Sequence, residues 1–247
     1  MNWEQIVEKV APYIVKIETP TGSGTGFLCG YNAEKTYCLI ATAFHVVKEA
    51  DEWQQPLKIH NSSFDKQVFL QESQRFIFTD YKTDSAVIFC PCSDLTFPEG
   101  LIPLRPMDVP ISVGTEVGWL GYPGIAAYTL CFFSGNISAK QDGYLIDGVA
   151  INGVSGGPVM YSSATEGIEF VGVITAYHAN RLTGSALPGL SVAQDVSHLH
   201  GVIQRIKSVD EAKRKKLELD AQAQAQAQTQ AQSQPQPPQS EPQKTKS

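Results

Sequence analysis

No run of apolar residues in this 247-residue chain approaches the roughly 18–20 needed to cross a bilayer as a helix, so no membrane span is expected. The N-terminus, MNWEQIVEKV, has neither a basic flank nor a continuous apolar segment and does not read as a secretory signal. Positive charge is also scarce. With 19 Lys and Arg against 25 Asp and Glu, the net charge is −6, which argues against nucleic acid bound through its phosphates. Cysteines are few and odd in number, five in all, and without a secretion signal this favours reduced thiols in a cytoplasmic protein. Cys29 and Cys38 could face each other across a hairpin, although two apolar strand positions is the preferred reading. Cys90-Pro91-Cys92 has the wrong spacing for a zinc knuckle and no second pair to complete it, so no metal is expected.

The last absence is local. From about Ala221 onward there is no apolar residue larger than alanine, and AQAQAQAQTQAQSQPQPPQSEPQKTKS has almost nothing to bury. Residues 221–247 therefore read as a disordered, low-complexity tail, with a possible but unidentified partner. Within it, PQPPQSEP could be a proline-rich ligand, against the plainer reading of a solvated tail.

The apolar residues concentrate in residues 1–206. Asn2, Gln5 and the face Trp3, Ile6, Val7 and Val10 suggest a short capped amphipathic helix. Short β-prone runs follow, including 13–19, 25–29, 37–41, 85–90, 116–120, 128–133 and 168–176, separated by Gly, Pro, Asn and Asp. So many short strands imply an all-β domain built as barrels or a sandwich. The cluster Pro98, Pro103, Pro106 and Pro110 marks a boundary, and Gly121-Tyr122-Pro123-Gly124 reads as a turn. Val196, Leu199, Val202, Ile203 and Ile206 share a stripe, predicting a closing helix over 195–206. Ser208 and Glu211 form a capping box that would open a separate charged helix over 207–220.

Within this frame, Gly153-Val154-Ser155-Gly156-Gly157-Pro158 carries the most chemistry. Glycines flanking a serine permit a tight turn that exposes the hydroxyl and aims backbone N–H groups at one point. Serine is a weak nucleophile alone and needs a base and an orienting acid. His45 closes an apolar run and Asp84 opens another, whereas Asp80 looks like a solvated turn acid. The other four histidines lie in less suitable settings.

Five segments in order, GSGTGF at 22–27, TAFHV at 42–46, TDSAVI at 83–88, GVSGGP at 153–158 and VGVITAY at 171–177, resemble the chymotrypsin-fold serine peptidases, most closely the HtrA-type peptidase domain. The order His, Asp, Ser is that of the chymotrypsin branch. The resemblance, running from about Pro12 to Ile206, implies two six-stranded-type antiparallel β-barrels, one about 12–95 and one about 112–194, with the site between them. It implies His45 as base, Asp84 as orienting acid, Ser155 as nucleophile, and the N–H groups of Gly153 and Ser155 as the oxyanion hole. Val149 would floor the specificity pocket and Thr175, Ala176 and Tyr177 would line its wall and pair with a peptide substrate, giving a bias to small or medium apolar residues. No metal or organic cofactor is implied. Two departures stand out: no PDZ-like glycine-rich segment follows, and Val154 stands where HtrA-type enzymes carry asparagine and trypsin an acid. The expected function is that of a serine endopeptidase acting on proteins or peptides; the alternative is a catalytically silent pseudoprotease that binds them.

Overall fold

The computed structural model describes residues 2–109, 111–126, 128–163, 167–179 and 186–232. The chain divides into two compact units, Met1–Ile206 and Lys207–Ser247. The first begins with helix α1 (Trp3–Val10), where Asn2 and Gln5 exchange the expected reciprocal capping bonds. Its apolar face buries Ile6 and Val10, and Trp3 packs on Phe132 with ring centroids 5.2 Å apart.

Two antiparallel sheets follow. The first contains β1 (Ile14–Glu18), β2 (Ser23–Tyr31), β3 (Tyr37–Ala43), β4 (Leu57–Asn61), β5 (Lys66–Leu70), β6 (Phe76–Asp80) and β7 (Ser85–Pro91). Its order is β5-β4-β1-β2-β3-β7-β6, so it has seven strands and ends on β5 and β6, a half-barrel where a closed six-stranded one was expected. At the open seam the buried Arg75 donates to the carbonyls of Leu70, Ala50 and Gln55. A guanidinium has enough fixed donors to engage several carbonyls at once. The second sheet does close: β8 (Glu116–Gly121), β9 (Cys131–Lys140), β10 (Tyr144–Ile146), β11 (Pro158–Ser163), β12 (Gly167–Ala179) and β13 (Ala186–Asp195) form a barrel in the order β10-β13-β12-β11-β8-β9.

The larger core cluster joins the two sheets. Phe27 of β2 meets Phe170 of β12 edge to face at 4.7 Å, and Leu120, Tyr122 and Met160 belong to the same cluster. Cys38 and Cys90 are opposite each other on β3 and β7, with sulfurs 3.7 Å apart, so Cys38 faces Cys90 and not Cys29. All five cysteines are thiols, and burial pushes Cys29 up to about 12, which makes it inert.

An unexpected helix, α2 (Phe44–Glu52), follows β3; it buries Phe44, Val47 and Ala50 along one side. The closing helix begins at Ser197, whose N–H is capped by the Asp195 carboxylate, and buries Leu199, Val202 and Ile206. It does not restart at Ser208. One helix, α3, spans Ser197–Gln232, because Lys, Glu, Arg, Ala and Gln are good helix formers and no Gly or Pro stands between Gly201 and Pro235. The low-complexity segment thus begins as helix, with residues 221–225 exposed, while 233–247 lie outside the described residues. Among the described residues, no helix is long and apolar enough to cross a membrane.

Candidate active site

His45 lies in the first turn of α2 and Asp84 in the turn between β6 and β7. Pairing of β3 with β7 brings the two together, since Ala43 lies opposite Ser85. Asp84 Oδ2 stands 2.7 Å from His45 Nδ1, Oδ1 accepts the His45 N–H at 2.9 Å, and the Asp84 carbonyl accepts the Phe44 N–H at 2.9 Å. Ala43 offers no side-chain cap, so Asp84 caps α2 from across the sheet while holding the imidazole. Its φ of 47° is a conformation that Asp tolerates better than most residues. The imidazole remains about half-exposed, its side chain 46% accessible. Asp80 is elsewhere engaged: its carboxylate accepts the Lys82 N–H and lies 3.8 Å from His198 Nδ1.

Residues 151–157 form a run of turns entering β11. Gly153 and Gly156 adopt φ of +93° and +87°. A Cβ on Gly156 would come within 2.2 Å of Thr42 Oγ1 and 2.9 Å of Ala43 N, so the turn backs directly onto the residues preceding His45. The turn is tied down by its own peptides. Val154 N–H donates to Ile151, Gly156 N–H to Ile174 and Gly157 N–H to Val154. Asn152 C=O accepts from Gly124 N–H at 2.7 Å, and because N–H and C=O of a trans peptide point oppositely, the Gly153 N–H is aimed away from Gly124. Among the described residues, the N–H groups of Gly153 and Ser155 have no acceptor, while those of Val154, Gly156 and Gly157 do. Nor does any hydrogen bond join Ser155 Oγ to His45. Val154 is fully buried in the core of the second barrel, against Gly121.

The substrate-side residues are distributed less simply. Val149 is 48% exposed, more open than an enclosed pocket floor would be. Thr175 is buried and its hydroxyl donates to the Val192 carbonyl at 3.4 Å. The backbones of Ala176 and Tyr177 pair with Val192 and Ser191 of β13; their side chains lie outside the described residues. On the other side of β12, pairing with β11 ends at Val173, so among the described residues no strand covers the edge at 175–177. Thr25 and Gly124 were not singled out from the sequence, although both contact the turn; the only available signal for Thr25 was its place inside GSGTGF.

A family model described as the trypsin-like peptidase domain matches residues 24–173. No curated protein matches the sequence. Among solved structures, a serine-to-alanine mutant of Rv3671c from Mycobacterium tuberculosis, in an inactive form, is similar at a TM-score of 0.57 and 18% identity, covering 81% of this chain and 89% of that one. A serine endoprotease from Yersinia pestis is similar at 0.60 and 19%, covering 83% and 66%.

Proposed function

Since this chain belongs to the trypsin-like peptidase domain family, we propose that it is a serine endopeptidase working through His45, Asp84 and Ser155. In this reading His45 Nε2 takes the proton of Ser155 Oγ as the oxygen attacks a peptide carbonyl. Asp84 accepts the Nδ1–H, which selects the required tautomer and stabilises the imidazolium. The N–H groups of Gly153 and Ser155 receive the developing oxyanion. His45 then gives its proton to the leaving amine, which departs and leaves an acyl ester on Ser155. Water, deprotonated by His45, attacks the ester, and Oγ recovers its proton as the acid product leaves.

The observation that carries this reading is the bidentate hold of Asp84 on His45 beside a turn in which, among the described residues, the N–H groups of Gly153 and Ser155 have no acceptor while those of Val154, Gly156 and Gly157 do. The edge of β12 at 175–177, which no strand covers among the described residues, supports recognition of an extended peptide added as a strand. Substrates are then proteins or peptides, with no metal or organic cofactor required, and the free thiols suit a reducing compartment. The absence of a hydrogen bond from Ser155 to His45 favours a second reading, a pseudoprotease that binds peptides without cutting them. Such bonds are often long before substrate arrives, so the enzyme reading is preferred. A fluorophosphonate probe decides between them: covalent labelling mapped to Ser155, absent in Ser155→Ala, supports the peptidase, and no labelling of the wild-type chain removes it.

A further inference from the structure

Gly153 can take either sign of φ almost freely, so its own chemistry does not determine where its N–H points. Something outside the turn must. The Val154 side chain is buried among apolar neighbours and has no polar atom with which to do so, and its N–H bond to Ile151 stays within the turn. From outside the turn, backbone groups of Gly124 and Ile174 anchor it, as any residue's could, and the one side chain that does so is Thr25.

Thr25 lies on β2 and is fully buried. Its hydroxyl donates to the Gly153 carbonyl at 2.8 Å and accepts the Tyr122 N–H at 3.0 Å. Its N–H donates to the Ser155 carbonyl at 2.8 Å, and its carbonyl accepts the Thr42 hydroxyl at 2.7 Å. Thr25 thus holds two of the turn's peptide groups, those following Gly153 and Ser155. The Gly124 bond orients the peptide before Gly153, and the Gly157 N–H orients the one before Ser155. Space is tight as well: a Cβ on Gly121 would lie 3.0 Å from Thr25 Oγ1 and 2.8 Å from Val154 Cγ1. A water could not replace the hydroxyl there.

We propose that Thr25 is a positioning residue that sets the oxyanion turn, its hydroxyl fixing Gly153 from the first sheet in place of any polar group at position 154. The kinetic part of this proposal rests on the peptidase reading; the conformational part does not. Thr25→Val keeps the shape and removes the hydroxyl, leaving the Gly153 carbonyl and the Tyr122 N–H without their partner. Thr25→Ser keeps the hydroxyl and removes only the methyl group.

The test measures fluorophosphonate labelling at saturating and limiting probe, together with amide hydrogen exchange of residues 152–157. Thr25→Val should lower the limiting labelling rate by about 10²-fold, the scale of a small misplacement, with little change in probe affinity. It should also speed exchange in the turn. Thr25→Ser should restore both to within a few-fold of wild type. A purely packing role reverses the pattern, with Thr25→Ser impaired and Thr25→Val tolerated, and overturns the proposal. So does wild-type labelling and exchange in Thr25→Val. If the wild-type chain labels with nothing, the peptidase reading fails, and the exchange comparison between the two variants still decides the role of Thr25.

Discussion

Asp84 does two things that substitutions can separate. It holds His45 Nδ1 and it caps α2 through the His45 N–H. Asn can do the second and tolerates positive φ, but it favours the wrong imidazole tautomer. Asp84→Asn should therefore keep its melting temperature while peptide turnover falls by about 10⁴-fold. Asp84→Ala should lose the same activity and also about 0.5–2 kcal/mol from the missing cap, read in urea denaturation. Asp80→Asn should leave turnover near wild type, and a reversal between the two positions would move the orienting acid to Asp80. For the proposed nucleophile and base, Ser155→Ala and His45→Ala should each abolish turnover, and the double variant should be little worse than either, because in this reading the pair acts as one unit. These three side chains were legible in the sequence because each sits in a short local string whose spacing limits what it can do. Thr25 was not. Its hydroxyl acts on a carbonyl 128 residues away, and no local pattern encodes that distance.

At the level of elements, the strands were readable from alternation and turn residues, but their closure was not. Whether β5 and β6 meet depends on pairing across the sheet, and here the edge is finished by Arg75 instead. Arg75→Leu should remove the side-chain donor from the carbonyls of Leu70 and Gln55 and leave Ala50 with the Gln55 N–H alone, at a cost of about 1–3 kcal/mol in denaturant unfolding. Helix α2 escaped the reading for a related reason: its cap comes from Asp84, on a different hairpin. The docking of α3 brings a titration with it. Burial at the start of this helix pushes His198 below its ordinary value, against the opposing pull of Asp80. The unfolded chain then binds this proton more readily than the folded one, so the contribution of this site to stability is fully present above about pH 6.5 and is lost as the pH falls below it. His198→Asn should flatten that decline in a series of melting curves between pH 7 and pH 5.

Over the whole molecule, the compact unit Met1–Ile206 contains both sheets and every residue of the candidate site. Residues 221–225 of the low-complexity segment are exposed and bury nothing. Truncation after Asp220 should therefore leave melting temperature and peptide turnover unchanged. A clear loss of either would mean that the segment contributes to the folded unit. Helix through Gln232 was not foreseen, because a reading based on burial attends to what a segment can hide and gives little weight to the helix propensity of alternating Ala and Gln.

His45, Asp84 and Thr25 all belong to the first sheet and its connections, while Ser155 and Gly153 belong to the second. A chain emerging from the ribosome displays the base and acid well before the nucleophile has been made, so in the proposed reading it cannot cut its neighbours while still incomplete. In the proposed reading the same division makes activity depend on an uncut chain. A single nick between β7 and β8, followed by separation of the halves, would yield one fragment with the proposed base and no nucleophile and another with the proposed nucleophile and no base.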